Sequence, residues 1–415
     1  MKIAILGYGL EGKSVEKYFK DTAEIKIFND FEKLPDTKDF DLVFRTPSVK
    51  FPSPEPANWT SVTKYFFDHC PAPIIGVTGT KGKGTTCTMI ASLMKSLGKT
   101  VHLVGNIGEP SLNYLKNIDP EDIVVYELSS FQLWDLQKSP NVAVVLRIEP
   151  DHLNVHKDFD DYVSAKANIT RHQASYESVI YFKNNSDSKR IADTSEAEKF
   201  PYPLTKKPET LKKLLNSLRL VGDHNKENLE AALLAVYAYH KPVLKKNRVS
   251  FEVFLADHFD EFEAAIEKIQ PLPHHIEFVR ELNGVKYYDD SFCTVYPALD
   301  AALKSFKNQP LVLIAGGSSK GTDLEPAKRA IFDNKNLVKA VLIGETAKEF
   351  AKNENPEKYI DCGTNFKKAV DTAKDLAEQA GEGSIVLLSP CSASFDMFKS
   401  YKDRGDQFKD IVKSL

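Results

Sequence analysis

The chain has 415 residues, which is too many for one ordinary hydrophobic core, so two or three domains are expected. Its 55 basic and 58 acidic residues nearly balance, at a formal net charge of −3, which argues against a protein that binds nucleic acid or a membrane surface. Five cysteines without a C-x-x-C pair argue against disulfides and a zinc-thiolate site, so a reducing cytoplasm is the expected location.

Apolar strands, glycine-rich turns and amphipathic helices alternate along the chain, which predicts α/β domains with parallel sheets. Proline-rich segments predict two boundaries, and therefore domains over 1–71, 72–271 and 272–415. The predicted fold is three doubly wound domains: a Rossmann-like N-terminal domain, a P-loop-type central ATPase and a Rossmann-like C-terminal domain. The predicted strands are 2–6, 25–28, 41–44, 73–77, 101–104, 122–128, 142–148, 285–288, 311–314, 338–343 and 384–388. The predicted helices include 13–19, 83–97, 159–173 and 224–240.

The first predicted strand leads into GYGLEGKS, where Gly7, Gly9 and Gly12 form a G-x-G-x-x-G pattern, and Asp30 ends the second strand. Glycines at this spacing let a diphosphate approach the N-terminus of the following helix. Taken alone, the pattern predicts a dinucleotide site, so an NAD-dependent oxidoreductase is one open function. A lone G-x-G-x-x-G is a weak signal, because the same turn also suits the diphosphate of a nucleotide-linked substrate.

The segment GVTGTKGKGTT lies between a predicted strand and a predicted helix. Gly79 and Gly82 leave room for backbone N–H groups to face phosphates, and Lys83 can reach the β- and γ-phosphates. The strict Walker pattern is not met at its first glycine or directly after the lysine. The hydroxyl that commonly binds Mg²⁺ therefore comes from Thr85 or Thr86. The segment predicts a nucleoside triphosphate and Mg²⁺ without indicating a reaction.

Later strands end in side chains that suit a metal ion and phosphates. ELSSFQL puts Glu127 at the end of a buried strand, where an unpaired carboxylate would be costly. DHLNVH puts Asp151 and His152 where another strand opens onto the same crevice. Tyr162 and Lys166 lie four residues apart on one face of the next helix. Each residue also has an ordinary structural interpretation, but together they indicate binding of metal and phosphate.

Taken in order, these motifs resemble those of the Mur ligases. The resemblance rests on GTKGK with the following TT, GNIG, ELSSFQL, DHLNVH, the helix with Tyr162 and Lys166, and DHNKEN. In the third block it rests on HHIEFV, YYDDSFCT, IAGGSSKGTD and LSPCSASFDMFKSYKDRGDQF, of which the last is the most specific. It covers nearly the whole chain. Within the family, the third block is most similar to the member that adds D-glutamate to UDP-N-acetylmuramoyl-L-alanine.

The resemblance implies an ATP-dependent amide ligase of peptidoglycan precursor synthesis. Such an enzyme converts the carboxylate of UDP-N-acetylmuramoyl-L-alanine into an acyl phosphate and joins it to D-glutamate. The resemblance implies ATP and two Mg²⁺ ions, and carbamylation of Lys166 by CO₂, because hard cations prefer oxygen ligands to an ammonium group. It implies Lys83, Asn106, His152 and Lys166 as catalytic residues. It implies Thr85, Glu127, His152 and Lys166 as metal ligands.

The resemblance also implies the residues that bind each substrate. For ATP they are Gly79, Thr80, Lys81, Gly82, Lys83, Gly84, Thr85, Thr86, Asn225, Asn228 and Asp290. For the UDP-linked substrate they are Gly7, Gly9, Leu10, Gly12, Asp30, Thr46, Pro47 and Ser48. For the incoming amino acid they are Thr294, Lys320, Ser394, Phe395 and Tyr401. Positions that depart from the family pattern are Ser48, Asn154, His275, Phe292, Val295 and Ser318. Because of His275 and Phe292, the identity and stereochemistry of the amino acid stay open.

Other functions stay open beside the D-glutamate ligase. A related ligase would add another amino acid, such as L-glutamate. A folylpolyglutamate synthetase-like ligase shares the GKG loop and glutamate addition but lacks a first domain for UDP. An NAD-dependent oxidoreductase leaves the phosphate loop and Glu127 unexplained, and a non-catalytic nucleotide-binding protein is suggested only by the departures. We expect a monomer without membrane insertion, in which the third domain closes about residues 270–274 and excludes water.

Overall fold

The computed structural model describes residues 1–29, 36–47, 49, 56–106, 109–153, 155–246, 249–319, 321 and 323–415, without the side chains of 242–248. The predicted site residues Asp30, Ser48 and Lys320, and the departure at Asn154, lie outside the described residues. The chain forms two compact units, 1–219 with 226–269 and 220–225 with 270–415. Three sheets flanked by helices confirm the predicted fold class, while the predicted domain boundaries stay predictions. Among the described residues, no helix is both long enough and apolar enough to cross a membrane.

The first sheet has four parallel strands in the order β2-β1-β3-β4. These strands are β1 Lys2–Leu6, β2 Glu24–Phe28, β3 Leu42–Arg45 and β4 Trp59–Ser61, with helices α1 Leu10–Phe19 and α2 Val62–His69. Helix α1 begins earlier than the predicted residue 13, because Gly9 caps it directly after the turn. Strand β4 was missed because its three residues are too few to show an alternating pattern.

The second sheet has six parallel strands in the order β10-β9-β8-β5-β7-β6. Its strands are β5 Ile74–Thr78, β6 Val101–Gly105, β7 Ile123–Glu127, β8 Val142–Val145, β9 Ser178–Phe182 and β10 Glu198–Tyr202. The helices are α3 Lys83–Ser96, α4 Ser130–Leu133, α5 Phe159–Ala167, α6 Ser186–Ala192, α7 Glu209–Ser217, α8 Asp223–Lys246, α9 Phe251–Asp257 and α10 Phe259–Glu267. Because β5 lies between β7 and β8, their carboxyl ends meet at one edge, where ligands of such sheets bind.

The third sheet forms the second unit, in the order β11-β12-β16-β13-β14-β15. Its strands are β11 Glu277–Leu282, β12 Val285–Asp289, β13 Leu311–Gly316, β14 Leu337–Ile343, β15 Tyr359–Asp361 and β16 Ile385–Leu388. The helices are α11 Tyr296–Ser305, α12 Glu325–Phe332, α13 Ala347–Ala351, α14 Phe366–Ala380 and α15 Tyr401–Ser414. Among the strands that the structure describes in this sheet, only the edge strand β11 is antiparallel, and its charged residues hid it from the sequence prediction.

A buried ion pair joins the first sheet to the turn that follows α4. The Nη2 atom of Arg45, at the end of β3, lies 2.6 Å from Oδ1 of Asp135, and both side chains are 1% exposed. The same nitrogen donates to the carbonyl of Phe131 at 3.0 Å. Removing one partner of such a pair leaves the other charge buried, which is strongly destabilising.

We therefore expect Asp135→Asn to lower the free energy of unfolding by about 3–5 kcal/mol, because Arg45 keeps its buried charge and loses its carboxylate. Urea unfolding followed by circular dichroism would measure the change. Asp68→Asn is the matched control, because Asp68 pairs with Lys138 on the surface, where a pair contributes about 0–1 kcal/mol. Equal losses in the two variants would show that the buried pair does not stabilise the unit.

Candidate active site

The loop between β5 and α3 leaves no room for side chains at two positions. Gly79 has a φ of +155°, and a Cβ there would lie 2.6 Å from Cβ of Leu146. Gly82 has a φ of +85° and caps α3, and a Cβ there would lie 2.8 Å from the amide oxygen of Asn228. The positive end of the α3 dipole therefore opens onto bare backbone, which is the arrangement that binds phosphate. Asn228, predicted to bind ATP, lies directly at this loop.

Two lysine side chains fold onto the same loop from different helices. Lys83 Nζ donates to the carbonyls of Gly79 at 3.1 Å and Thr80 at 3.0 Å. Lys166 Nζ, from α5, donates to the same Gly79 carbonyl at 3.0 Å and to Oγ1 of Thr78 at 3.3 Å. Burial lowers the pKa of both ammonium groups, and the charge of Lys83 lowers that of Lys166 further. A polyanion would relieve this repulsion between the two cations.

Thr80 fixes the loop against the segment after β8 and against α5. Its N–H donates to the carbonyl of Arg147 at 2.9 Å, and its hydroxyl donates to the carbonyl of Glu149 at 2.9 Å. The hydroxyl also lies 3.0 Å from that of Tyr162, whose ring centre is 4.8 Å from Lys166 Nζ. Thr80 and Tyr162 therefore orient the loop and the lysine together.

The remaining loop residues differ in their access to a ligand. Lys81 is exposed, and Gly84 and Thr85 are half-buried in the first turn of α3. Thr86 is fully buried, and its hydroxyl has no hydrogen-bond partner among the described residues. Of the two threonines predicted for Mg²⁺, Thr85 is therefore the one whose hydroxyl a bound ion could reach.

Glu127 ends β7 beside this loop with 5% of its surface exposed. Asn106 donates from Nδ2 to Oε1 of Glu127 at 3.1 Å and from its backbone N–H to the carbonyl of Glu127 at 3.2 Å. The negative charge of Glu127 acts to raise the pKa of both Lys83 and Lys166, so the carboxylate lies within electrostatic reach of both. The structure thus brings four of the predicted residues to one place.

His152 lies in a tight turn, with a φ of +55° and 49% of its side chain exposed. Its Nε2 is 3.7 Å from Oδ2 of Asp151, and its ring meets that of Phe131 edge-on at 5.0 Å. Partial burial lowers the pKa of His152, and the charges of Lys83 and Lys166 lower it further, so the neutral ring that can bind a metal is favoured.

A buried hydrogen-bond chain through His156 was missed by the sequence analysis. Its Nδ1 lies 3.0 Å from Oδ2 of Asp161, and its Nε2 lies 2.9 Å from Oγ of Ser130. Its ring stacks on Phe131 at 5.4 Å, and its backbone N–H donates to the carbonyl of His152 at 3.0 Å. His156 therefore holds the turn of His152 against α4 and α5. The second histidine of DHLNVH was the available signal.

The turn after β1, like the loop between β5 and α3, leaves no room for side chains at two of its glycines. A Cβ at Gly7, where φ is +95°, would lie 2.2 Å from the hydroxyl of Thr46, which donates to the carbonyl of Leu6 at 2.9 Å. A Cβ at Gly12 would lie 2.1 Å from the Gly7 carbonyl, whereas Gly9 faces open space. The N-terminus of α1 is therefore accessible. The predicted residues that the structure describes at this turn are Gly7, Gly9, Leu10, Gly12, Thr46 and Pro47.

In the second unit, Arg404 of α15 is the centre of a buried network that the sequence analysis also missed. Its Nη1 donates to the carbonyls of Ser392 and Ala393, each at 3.1 Å. Its Nε and Nη2 donate to the hydroxyl and the carbonyl of Ser291, each at 2.9 Å. Burial lowers the pKa of Arg404 to about 10, so it is charged at neutral pH. The arginine of KDRGDQF was the available signal.

A small pocket beside this network is lined mainly by hydroxyl groups. Its lining residues are Thr294, Ser318, Ser319, Leu324, Thr346, Cys391 and Ser392. Thr294 was predicted to bind the amino acid, and hydroxyl donors suit a carboxylate. Ser394 is buried, Phe395 is 76% exposed, and Tyr401 begins α15. These predicted residues therefore lie along the segment that leads into α15, and they differ in their exposure to solvent.

Other predicted and altered positions also lie in the second unit. Asp290 accepts from the hydroxyl of Ser389 at 2.7 Å and from the N–H of Ile276 at 3.2 Å. Asn225 donates from Nδ2 to the carbonyl of Val221 at 2.7 Å. The altered residues His275 and Phe292 stack with ring centres 4.1 Å apart, and Phe292 meets Tyr401 at 5.1 Å. The two departures from the family pattern therefore form one aromatic contact.

Comparison with known proteins adds independent observations. The model of the Mur ligase middle domain matches residues 77–216. A UDP-N-acetylmuramoylalanine--D-glutamate ligase of Acetivibrio thermocellus is 33% identical, over 100% of this chain and 96% of that protein. The fold is similar to that of UDP-N-acetylmuramate-alanine ligase MurC from Thermotoga maritima, at a TM-score of 0.62, 16% identity and coverage of 100% and 99%. It is also similar to MurF ligase from the same organism in complex with ADP, at a TM-score of 0.61, 15% identity and coverage of 100% and 95%.

Proposed function

Because this chain belongs to the family of UDP-N-acetylmuramoylalanine--D-glutamate ligases, which are ATP-dependent enzymes of peptidoglycan precursor synthesis, we propose a specific role for each group around the phosphate loop. The observation that carries the proposal is the convergence of Lys83, Lys166 and Glu127 on one glycine-lined loop. The family assignment replaces the oxidoreductase and the non-catalytic alternatives.

The proposed reaction has two steps. A carboxylate oxygen of UDP-N-acetylmuramoyl-L-alanine attacks the γ-phosphorus of ATP, the bond to the β-phosphate oxygen breaks, and ADP leaves. The amine of D-glutamate then attacks the acyl carbon, an amide bond forms, and phosphate leaves with the proton of the amine going to solvent. The first step brings two anions together, so its barrier depends on cations that offset their repulsion.

Lys83 supplies one of these cations. Its ammonium group donates to two loop carbonyls at 3.1 and 3.0 Å, and we propose that it turns from them to the β- and γ-phosphates when ATP binds. Asn106 holds the Glu127 carboxylate through its side-chain amide. Tyr162 and Thr80 hold the loop. The loop and the Glu127 carboxylate therefore keep their positions during the reaction, which is the condition for electrostatic catalysis.

The residues fit Mg²⁺ at one position as they stand and at a second position after a modification. The accessible hydroxyl of Thr85 and the carboxylate of Glu127 are oxygen ligands of the kind that Mg²⁺ prefers. When bound, Mg²⁺ would neutralise charge that develops on the phosphates. The ammonium group of Lys166 does not fit a cation site. As a carbamate, together with the neutral ring of His152, it does.

The lowered pKa of Lys166 supports this modification. Because burial and the charge of Lys83 disfavour the ammonium form, the neutral amine is available at a lower pH than for an exposed lysine. The amine nitrogen attacks the carbon of CO₂, a C–N bond forms and one proton leaves. The product carries a negative charge, so it relieves the repulsion from Lys83 instead of adding to it.

The proposed substrate positions rest on the glycine turn after β1 and on the hydroxyl-lined pocket, both described above. We propose that the diphosphate of the UDP-linked substrate binds at the turn of Gly7, Gly9 and Gly12, where the N-terminus of α1 is accessible. The incoming amino acid would bind with a carboxylate group at the mouth of the small hydroxyl-lined pocket of the second unit, whose loop Arg404 holds in place.

We expect phosphate release from ATP and Mg²⁺ with UDP-N-acetylmuramoyl-L-alanine only when D-glutamate is present. A coupled phosphate assay with D-glutamate, L-glutamate and other amino acids, added one at a time, measures this. Release with a different amino acid would contradict the assignment of D-glutamate and move the specificity to the pocket of the second unit. No release with any acceptor would contradict the proposed reaction.

A further inference from the structure

Glu11 is a carboxyl group in the first turn of α1, directly after the cap residue Gly9 and the exposed Leu10. The proposed function puts the diphosphate of the UDP-linked substrate at this helix terminus. The free N–H groups and the helix dipole there attract anions. An ionised Glu11 therefore occupies the same favourable potential as the substrate and repels it.

The side chain of Glu11 is held in place by Gln132. Gln132 is 4% exposed, and its Nε2 donates to Oε1 of Glu11 at 3.0 Å. Its other amide atom, Oε1, accepts from the N–H of Ser129 at 3.0 Å and from the hydroxyl of Ser129 at 3.1 Å. Because this cap of α4 fixes the direction of the amide, Nε2 faces Glu11. The carboxyl group is thus tied to the helix terminus and cannot turn to solvent without leaving a buried donor unpaired.

Neighbouring groups act on the pKa of Glu11 in both directions, and the hydrogen bond from Gln132 is the largest of these effects and lowers it. Arg45, on β3, lowers the pKa of Glu11, but Arg45 is bound to Asp135 at 2.6 Å, and Asp135 raises it. Tyr126, on β7, stays neutral because burial raises the pKa of its hydroxyl. Burial is the largest effect on Glu11, and it raises the pKa of the carboxyl group to about 7. Glu11 therefore changes its charge within the physiological range.

We propose that Glu11 links binding of the UDP-linked substrate to a proton: the diphosphate binds at the N-terminus of α1 when Glu11 is neutral, and an ionised Glu11 weakens its binding. The neutral carboxyl group also has an O–H donor that the carboxylate lacks. The inference rests on the proposed function, because that proposal locates the diphosphate at this turn. Glu11 acts as a positioning and specificity residue and takes no part in the chemistry.

The direction of the pH dependence follows. Below pH 7 the free protein already carries the proton, so the Kd for the UDP-linked substrate is flat. Above pH 7, binding must take up a proton, so the Kd rises with pH, by about 15-fold between pH 7 and pH 8.5. The probe is UDP-N-acetylmuramoyl-L-alanine, whose phosphates are both esterified. Free UDP is unsuitable because a terminal phosphate titrates itself near pH ~6.

Isothermal titration calorimetry of the whole protein, from pH ~6 to pH ~8.5, tests the proposal. We expect the rise in Kd in the natural protein and in Asp21→Asn, a control at an exposed carboxylate just after the same helix, and a flat Kd in Glu11→Gln. Near pH ~8, titrations in two buffers of different ionisation enthalpy should show uptake of close to one proton in the natural protein and none in Glu11→Gln. Proton uptake by the natural protein tests the proposal even if Glu11→Gln fails to fold.

An equal pH dependence in Glu11→Gln and the natural protein, or no proton uptake by the latter, would overturn the inference and leave the proposed function intact. The variant Gly9→Asp distinguishes a failure of this inference from a failure of the proposed function. Gly9 faces open space, so an added side chain there fits sterically. If Gly9→Asp binds the UDP-linked substrate as tightly as the natural protein, the diphosphate does not lie at this turn. That outcome would overturn the proposed location of the substrate together with the role of Glu11.

Discussion

Replacing Lys83 with alanine is expected to lower the rate of phosphate release by about 10³-fold, which is the effect of removing one preorganised group that stabilises charge in a transition state. The ammonium group lies over the loop between Gly79 and Thr80, where the γ-phosphate of ATP would meet the substrate carboxylate. Without it, less of the repulsion between the two anions is offset. This loss is larger in the transition state than in the bound state. Steady-state phosphate release with all three substrates measures the change, which should appear mainly in kcat.

Lys95→Ala is the matched control, because Lys95 is an exposed lysine in the last turn of the same helix. Its rate should equal that of the natural protein. Circular dichroism of both variants would show that α3 still forms. If Lys83→Ala kept more than about a tenth of the rate, the lysine would not contact the transferred phosphate.

Replacing Lys166 with methionine is expected to lower the rate by about 10²–10³-fold, because the variant can form neither the carbamate nor a cation site that depends on it. In the natural protein, removing CO₂ from the buffer should lower the rate, and adding bicarbonate should restore it. Carbon-13 NMR with labelled CO₂ gives a readout independent of activity, since the carbamate signal should be present in the natural protein and absent in Lys166→Met.

The control for this experiment is Lys157→Met, which removes an exposed lysine shortly before α5. It should keep the carbamate signal and the response to bicarbonate. A natural protein without the signal and with a rate independent of CO₂ would show that Lys166 works as an amine. In that case the proposed second cation site would be wrong, whereas the proposed roles of Lys83 and Glu127 would still hold.

Local patterns were sufficient to predict the elements that bear the phosphate loop. The run before Gly79, the glycines and the lysine at the start of α3 are adjacent in the chain, so their geometry follows from one strand, one turn and one helix. Glu127 and His152 were predicted because parallel strands end at one edge of a sheet. The structure puts both side chains within electrostatic reach of Lys166 from α5, although the sequence separates Lys83 and Lys166 by many residues.

The missed groups act through contacts between distant segments. Gln132 meets Glu11 across 121 residues of sequence, and Arg404 meets Ser291 across 113. No local pattern encodes such pairs, because either partner alone resembles an ordinary surface residue. Short or charged edge strands such as β4 and β11 were missed for a different reason, since their pairing partners, and not their own periodicity, make them strands.

The carbonyl of Gly79 accepts hydrogen bonds from both Lys83 and Lys166, so the two lysines share one acceptor. A nucleotide that draws Lys83 away changes the surroundings of Lys166, and a modification of Lys166 changes what holds Lys83. The two events are then coupled, and thermodynamic reciprocity requires each to shift the other by the same factor. The affinity for ATP should therefore depend on the concentration of CO₂ by the same ratio as the affinity for CO₂ depends on ATP.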